Sequence, residues 1–167
     1  EYLKIKECPK LFSSLVHGRL LLPRSLEEIA IDEYSQETLQ PCFLNNHTCL
    51  KKLAVSNSQS LNSLMLHSCT SLEDLTIRAC KWLVTLHGME SLGTLRSLVL
   101  YENSILKYLQ LHSCLSLERL VVSYCPLVAL ESLQSLVNLK HLEILGFSNI
   151  SSGILLPIEQ SSFEIFP

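Results

Sequence analysis

A short apolar phrase, L-x-x-L-x-L, recurs along this chain and constrains its fold more than any other feature. Its clearest copies span residues 72–77 and 117–122, and a cysteine follows three residues after each. When each copy is marked by the residue that opens its L-x-L core, the series is Leu3, Ile29, Leu53, Leu75, Leu98, Leu120, Leu142 and Phe163. The spacings are 26, 24, 22, 23, 22, 22 and 21 residues. Each spacing is close to the length of one coil in a repeat solenoid.

Two further copies of the phrase, at residues 64–66 and 109–111, lie midway between their neighbours, 11 residues from each. Because a coil of this type needs about 20 residues or more to close, we expect these copies to be short strands on the convex side. Residues 64–75 and 109–120 match at 9 of 12 positions, so the duplicated unit is a pair of coils 45 residues long. The sequence therefore predicts two alternating types of coil.

The repeats predict a leucine-rich repeat solenoid of the α/β type, mostly strand and loop, that occupies residues 1–167. In such a coil the L-x-L core directs two side chains into the interior and the residue between them outward. We expect an arc with a parallel inner sheet of about seven to eight strands, and short strands on part of the convex side. Neither end of the sequence has the polar cap that a terminal coil needs, so we expect a fragment of a larger protein.

Composition and charge argue against several classes of function. Charged residues make up 17% of the chain, where about a quarter is usual in soluble domains. The net charge is -3 and the basic residues are scattered, so we expect no nucleic-acid partner. Since no apolar run approaches the roughly 20 residues of a membrane span, we expect none.

The seven cysteines are expected to be reduced and mostly buried. Cys80 and Cys125 occupy the same repeat position two coils apart, about 10 Å at the usual strand spacing. A disulfide requires Cα atoms within about 7 Å. The H-S-C triplets at 67–69 and 112–114 are also two coils apart, too far to share a zinc ion with ligands at about 2.0–2.3 Å. We therefore expect no metal site, and the reduced thiols favour a cytoplasmic or nuclear location.

Motifs for catalysis are missing from the sequence. It contains no G-x-x-x-x-G-K phosphate loop and no G-x-S-x-G nucleophile elbow. We therefore expect that the chain is not an enzyme and binds no cofactor, and that its function is recognition of another protein.

The candidate functional residues are those that alternate outward on the predicted inner sheet. Val99, Tyr101, Val121 and Tyr124 lie on adjacent coils, with Arg78 to one side. Aromatic residues and arginine amid apolar neighbours are typical of interface cores, although Val and Tyr also suit strands whichever way they point. We predict a partner-binding surface on the concave face that consists of Thr76, Arg78, Val99, Tyr101, Glu102, Val121, Ser123, Tyr124 and Glu143.

Three longer phrases resemble the leucine-rich repeat region of plant intracellular immune receptors, the NLR disease-resistance proteins. They are G-R-L-L-L-P-R-S-L-E-E-I-A-I at 18–31, S-L-E-D-L-T-I-R-A-C-K-W-L at 71–83 and S-L-E-R-L-V-V-S-Y-C-P-L-V-A-L at 116–130. Their style is similar to the cereal receptors of the coiled-coil type, which have duplicated repeats. The L-x-G-x-I-P phrase of plant extracellular repeats is missing from this sequence.

The resemblance implies a role in recognition. In that family the repeats sense a pathogen effector or a guarded host protein, and they hold the receptor's own nucleotide-binding module inactive until then. ATP or ADP would belong to that module, which this sequence does not include. Two alternatives remain open. One is an F-box leucine-rich repeat protein, the substrate receptor of a ubiquitin ligase, although its repeats stay closer to 26 residues. The other is a scaffold without a defined ligand.

Overall fold

The structure, a computed structural model, describes residues 1–7, 23, 25–39, 49–106, 108–126, 131–146 and 162–166. Its strands are β1 Tyr2–Lys6, β2 Glu28–Asp32, β3 Thr38–Leu39, β4 Lys52–Ser56, β5 Ser63–Met65, β6 Asp74–Arg78, β7 Thr85–His87, β8 Ser97–Tyr101, β9 Arg119–Ser123, β10 His141–Leu145 and β11 Ser162–Phe166. Two short 3-10 helices span Met89–Ser91 and Glu131–Ser135. The described residues contain no α-helix, so the fold is mostly strand and loop, as the repeats predicted.

Eight strands form one parallel sheet, which we call the large sheet, in the order β1-β2-β4-β6-β8-β9-β10-β11. The residues that mark the repeats pair in a single register, from Leu3 with Ile29 at one end to Leu142 with Phe163 at the other. Each strand therefore pairs with the corresponding strand of the next coil. The prediction of a solenoid of stacked coils with a parallel sheet is confirmed.

Three strands form a second, smaller parallel sheet in the order β3-β5-β7. The prediction of a short strand at 64–66 is confirmed, because β5 begins at Ser63 and ends at Met65. The prediction for 109–111 is wrong: these residues form no strand, and only Tyr108 beside them makes an isolated bridge. Leu109 and Leu111 are nevertheless buried. At 109–111 the L-x-L phrase therefore indicates that the two leucines are buried inside the coil, and not that their backbone pairs with another strand.

In the coils that the structure describes between Leu53 and Leu142, the chain then returns toward the large sheet through two successive turns. The amide of Cys69 donates to the Leu66 carbonyl at 2.9 Å, and the amide of Leu72 donates to the Cys69 carbonyl at 3.0 Å. The same two bonds recur at residues 111–117. In the intervening coil Leu92 takes the place of the cysteine, directly after a 3-10 helix. The alternation of two coil types therefore appears as cysteine or leucine at one buried turn position.

Leucine side chains fill the interior of the stacked coils. Leu53, Leu75, Leu98 and Leu120 on the large sheet are almost completely buried. A buried leucine contributes about 1.5–3 kcal/mol through the removal of apolar surface from water. Because a coil covers its flanks only by stacking on its neighbours, the array owes its stability to these contacts between coils.

A line of buried side chains follows the strands of the large sheet, and some of them are polar. Asn103 is fully buried; its Oδ1 accepts a hydrogen bond from the Cys80 amide at 3.2 Å, and its Nδ2 donates to the Ile77 carbonyl at 3.0 Å. The Ser58 hydroxyl accepts from the Tyr34 amide at 3.1 Å in the same way. Since an unpaired buried amide is costly, each polar side chain satisfies the backbone of the preceding coil.

Candidate protein-binding surface

The predicted site lies on the side of the large sheet that faces away from the leucine interior, here called the open face. Thr76, Val99, Val121 and Glu143 occupy successive strands, each paired with the next. Their strand neighbours, such as Leu98 and Leu100, are fully buried. The alternation of inward and outward residues thus follows the pleat of a strand. It brings these predicted site residues together in one row across the sheet.

A second row follows at the carboxyl ends of the same strands. Arg78 pairs with Tyr101, and Tyr101 pairs with Ser123 on the next strand. Arg78 and Tyr101 are exposed, whereas Ser123 is buried.

The residue after each strand of this region adopts a left-handed backbone conformation. Glu102 has φ 53° and Tyr124 has φ 52°, and four other residues besides glycine do the same at equivalent positions. Such residues are uncommon outside glycine. Here the conformation lets the Glu102 amide donate to the Ser123 carbonyl at 2.9 Å, and the Tyr124 amide donate to the Leu145 carbonyl at 2.9 Å. This conformation was not predictable from residue type, because most of these residues are not glycine or asparagine.

Tyr101 and Tyr124 form an aromatic pair on the open face. Their ring centroids are 5.7 Å apart and the rings are nearly perpendicular, at 83°. Edge-to-face pairs at this distance are favourable. The two residues are 37% and 55% exposed, so much of each ring remains available to a partner.

Two predicted site residues are on the expected face but are covered. Val121 is 6% exposed and Ser123 is 1% exposed. Val121 is nevertheless separate from the core cluster of the coil interior, to which Leu120 and Val122 belong. These two residues therefore lie beneath the open face and contribute little accessible surface area to it. Sequence alternation gives the direction of a side chain but not how its neighbours cover it.

Charges of both signs border the aromatic pair. Arg78 lies on the strand before Tyr101, and Glu102 follows Tyr101 directly. A hydrogen bond with the Glu102 carboxylate, together with its negative charge, raises the pKa of the Tyr101 phenol. Glu143 contacts the ring of His141, with Oε2 and Nε2 3.5 Å apart.

A row of alternating charges, which the sequence analysis missed, runs along the other end of the strands. We call it the charge row; it comprises Glu27, Lys51, Glu73, Arg96, Glu118 and Lys140. Lys51 contacts Glu27 at 3.1 Å and Lys140 contacts Glu118 at 2.8 Å. In each case the lysine holds the pKa of the carboxyl group below its usual value. Comparison of the residues two places before each repeat marker would have revealed the row.

The H-S-C triplets do not assemble into a metal site within the described ranges, where no three potential ligands come together. His67 instead contacts Glu90, with Nδ1 and Oε1 3.1 Å apart. Cys69 and Cys114 are buried free thiols, and burial raises the pKa of each to about 11. In the part of the chain that the structure describes, no helix is long and apolar enough to cross a membrane.

Among known proteins, no family model matches the chain. A search of curated proteins likewise finds no match.

Proposed function

We propose that this chain is the leucine-rich repeat region of a plant intracellular immune receptor, and that it binds a protein through the open face of the large sheet. The partner would be a pathogen effector, a guarded host protein or the receptor's own nucleotide-binding module. The site of action would be the cytoplasm or nucleus, and the chain itself would carry no catalysis and hold no cofactor.

One observation carries the binding part of the proposal: the exposed Tyr101–Tyr124 pair, with the half-buried Val99 in the adjacent row. Tyrosines are enriched among the residues that dominate binding energy in interfaces. A solvated strand face is mostly polar, yet Val99 and Val121 lie in the middle of this one. Arginine is also enriched in protein interfaces, and Arg78 lies at the border of the aromatic pair. The family part rests on the resemblance of the repeat phrases.

The test is affinity capture from plant cytosol with the immobilised chain, followed by mass spectrometry. Wild type is compared with the Tyr101→Ala/Tyr124→Ala double variant. Tyr108→Ala is the matched control, because Tyr108 is 70% exposed but lies outside the large sheet. Since truncation of a central aromatic weakens an interface by about 30-fold or more, the double variant should lose the specific partner and the control should keep it.

The identity of the captured protein separates the proposal from its alternatives. A nucleotide-binding module or a pathogen protein that only the double variant loses supports the immune-receptor function. If wild type, the double variant and Tyr108→Ala all bind ubiquitin-ligase adaptors equally, both the proposed function and the proposed site are wrong. Circular dichroism of each variant shows that a loss of binding does not come from unfolding.

A further inference from the structure

Glu102 is a carboxylate beside an exposed aromatic pair. Within the described residues it makes no ion pair at 4.0 Å or less, whereas Glu27, Glu28 and Glu118 each pair with a lysine. Its side chain is half-buried, and the Tyr101 phenol is hydrogen-bonded to it. The carboxylate therefore lies at the border of the open face, next to the aromatic pair.

The rings beside Glu102 add a second attraction for positive charge. The face of an aromatic ring is negative and attracts an ammonium or guanidinium group within about 6 Å of its centroid. Because Tyr101 and Tyr124 meet edge to face at 83°, one ring presents only its edge to the other. The Tyr124 ring is 55% exposed, so part of it is left for other contacts.

Stacking of the coils places the carboxylate next to this aromatic pair. Glu102 and Tyr124 hold the same position on consecutive coils, both left-handed, and the Glu102 amide bonds to the Ser123 carbonyl at 2.9 Å. Equivalent residues on neighbouring strands are about 4.8 Å apart. A single basic side chain can therefore contact the Tyr124 ring and the Glu102 carboxylate together.

We propose that Glu102, Tyr101 and Tyr124 form a subsite for one basic side chain, arginine or lysine, of a protein partner. The aliphatic part of that side chain would lie on Val99, which is half-buried in the adjacent row. This inference rests on the proposed binding function and names the chemistry of the partner. Arg78 and Ser123 lie on opposite sides of Tyr101, and Tyr124 follows Ser123 directly. The positive charge of Arg78 would repel the bound cation, but from farther away than the Glu102 carboxylate attracts it.

The subsite is tested by NMR titration of the 167-residue chain with a blocked valine–arginine–valine tripeptide. The control peptide contains citrulline, which has the shape of arginine without its charge. We expect the amide signals of Glu102 and Tyr124 to shift with the arginine peptide. The citrulline peptide should bind about 3-fold more weakly, since exposed cation–π contacts are modest.

Two variants check the charge dependence in opposite directions. Glu102→Gln should weaken binding of the arginine peptide by about 2- to 5-fold, and Arg78→Gln should strengthen it slightly. Both residues are at least partly exposed, so both variants should fold, which their spectra will show. Equal binding of the two peptides, no shift at Glu102 and Tyr124, or no effect of Glu102→Gln overturns the subsite.

Failure of the subsite differs from failure of the binding function. If Glu102→Gln captures the cytosolic partner as well as wild type does while Tyr101→Ala/Tyr124→Ala loses it, the open face binds a protein without a basic anchor. If the tyrosine variant also keeps the partner, the open face is not the binding surface.

Discussion

The Tyr124 ring packs directly over Gly146 of the next coil. A Cβ atom at residue 146 would come within 2.6 Å of Tyr124 Cδ1, a distance that real contacts do not show. Gly146 also has φ 74°. It is the last described member of the left-handed positions that follow the strands, and the other six are not glycine. Glycine is therefore required here for the space that the tyrosine ring occupies, more than for the backbone conformation.

Gly146→Ala should displace the Tyr124 ring and lower the free energy of unfolding by about 1–2 kcal/mol, of which part is the cost of a left-handed alanine. Gly93→Ala is the control, because nothing lies within 4 Å of a Cβ there, and it should change stability by less than about 0.5 kcal/mol. Urea unfolding measures both. In the Tyr124→Ala background the Gly146→Ala cost should shrink; an unchanged cost would show that the ring does not set the requirement.

Asn103 is the polar residue on which the middle of the solenoid depends. Asn103→Leu removes the acceptor of the Cys80 amide and the donor to the Ile77 carbonyl, and both groups stay buried. Each unpaired group costs about 1–3 kcal/mol, so unfolding should become easier by at least that amount. Asn138→Leu, at an exposed amide that bonds the Leu115 carbonyl, should cost much less. Similar urea midpoints for the two variants would contradict this account.

The register of the large sheet was predictable because the strand positions that face the coil interior hold apolar side chains. An L-x-L phrase at a constant spacing fixes which residue faces inward, so Leu53, Leu75, Leu98 and Leu120 could be aligned before the structure was known. The same alternation placed Thr76, Val99 and Tyr101 on one face. These features depend on which residues are buried, and the apolar or polar character of each residue indicates that directly.

Other features depend on contacts between coils, which cannot be predicted from the sequence of a single repeat. No strand forms at 109–111, although one was predicted there. Leucine can be buried on the convex side of a coil without backbone hydrogen bonds to a neighbouring strand. Burial of Val121 and Ser123 depends on the side chains of neighbouring strands. The left-handed conformation of Glu102 and Tyr124 accompanies the bonds of their amides to the next coil, which one repeat alone does not show.

Leu98→Asp tests the inward direction directly. Leu98 is fully buried, and a carboxylate in that interior would have no partner, so the variant should unfold the array or lower its stability by several kcal/mol. Leu115→Asp is the matched control, because Leu115 is 53% exposed and should tolerate the charge. Thermal melting followed by circular dichroism compares them. A Leu98→Asp protein that melts like wild type would refute the register.

The charge row should matter more at low ionic strength. Arg96 lies between Glu73 and Glu118, and its backbone bonds to both coils at 2.8 Å. Arg96→Glu would place three carboxylates in succession and lower the melting temperature. Arg96→Gln, which removes the charge without reversing it, should have a smaller effect. Since salt shortens the screening length from about 30 Å at 0.01 M to about 3 Å at 1 M, the difference between these variants should largely vanish at high salt. A difference that persists at high salt would show that charge repulsion along the row does not cause it.

The buried thiols should make stability fall at alkaline pH. Burial raises the pKa of Cys69 from 9.0 to about 11. The unfolded chain therefore releases a proton between these values that the folded chain retains, which favours unfolding. The contribution of this thiol is fully present below pH 9 and is lost as the pH rises through about 11. The slope can reach about 1.4 kcal/mol per pH unit for one thiol.

Cys69→Ala should flatten the pH dependence of the free energy of unfolding between pH 9 and 11, whatever it does to stability at neutral pH. Cys49→Ala is the control for the loss of a thiol, because Cys49 is an exposed free cysteine. Lysine and tyrosine ionisation affects wild type and both variants alike, so it cancels in the comparison of slopes. Urea titrations across this range under reducing conditions give the three curves. Parallel curves for wild type and Cys69→Ala would show that the folded protein ionises this thiol as readily as the unfolded chain does.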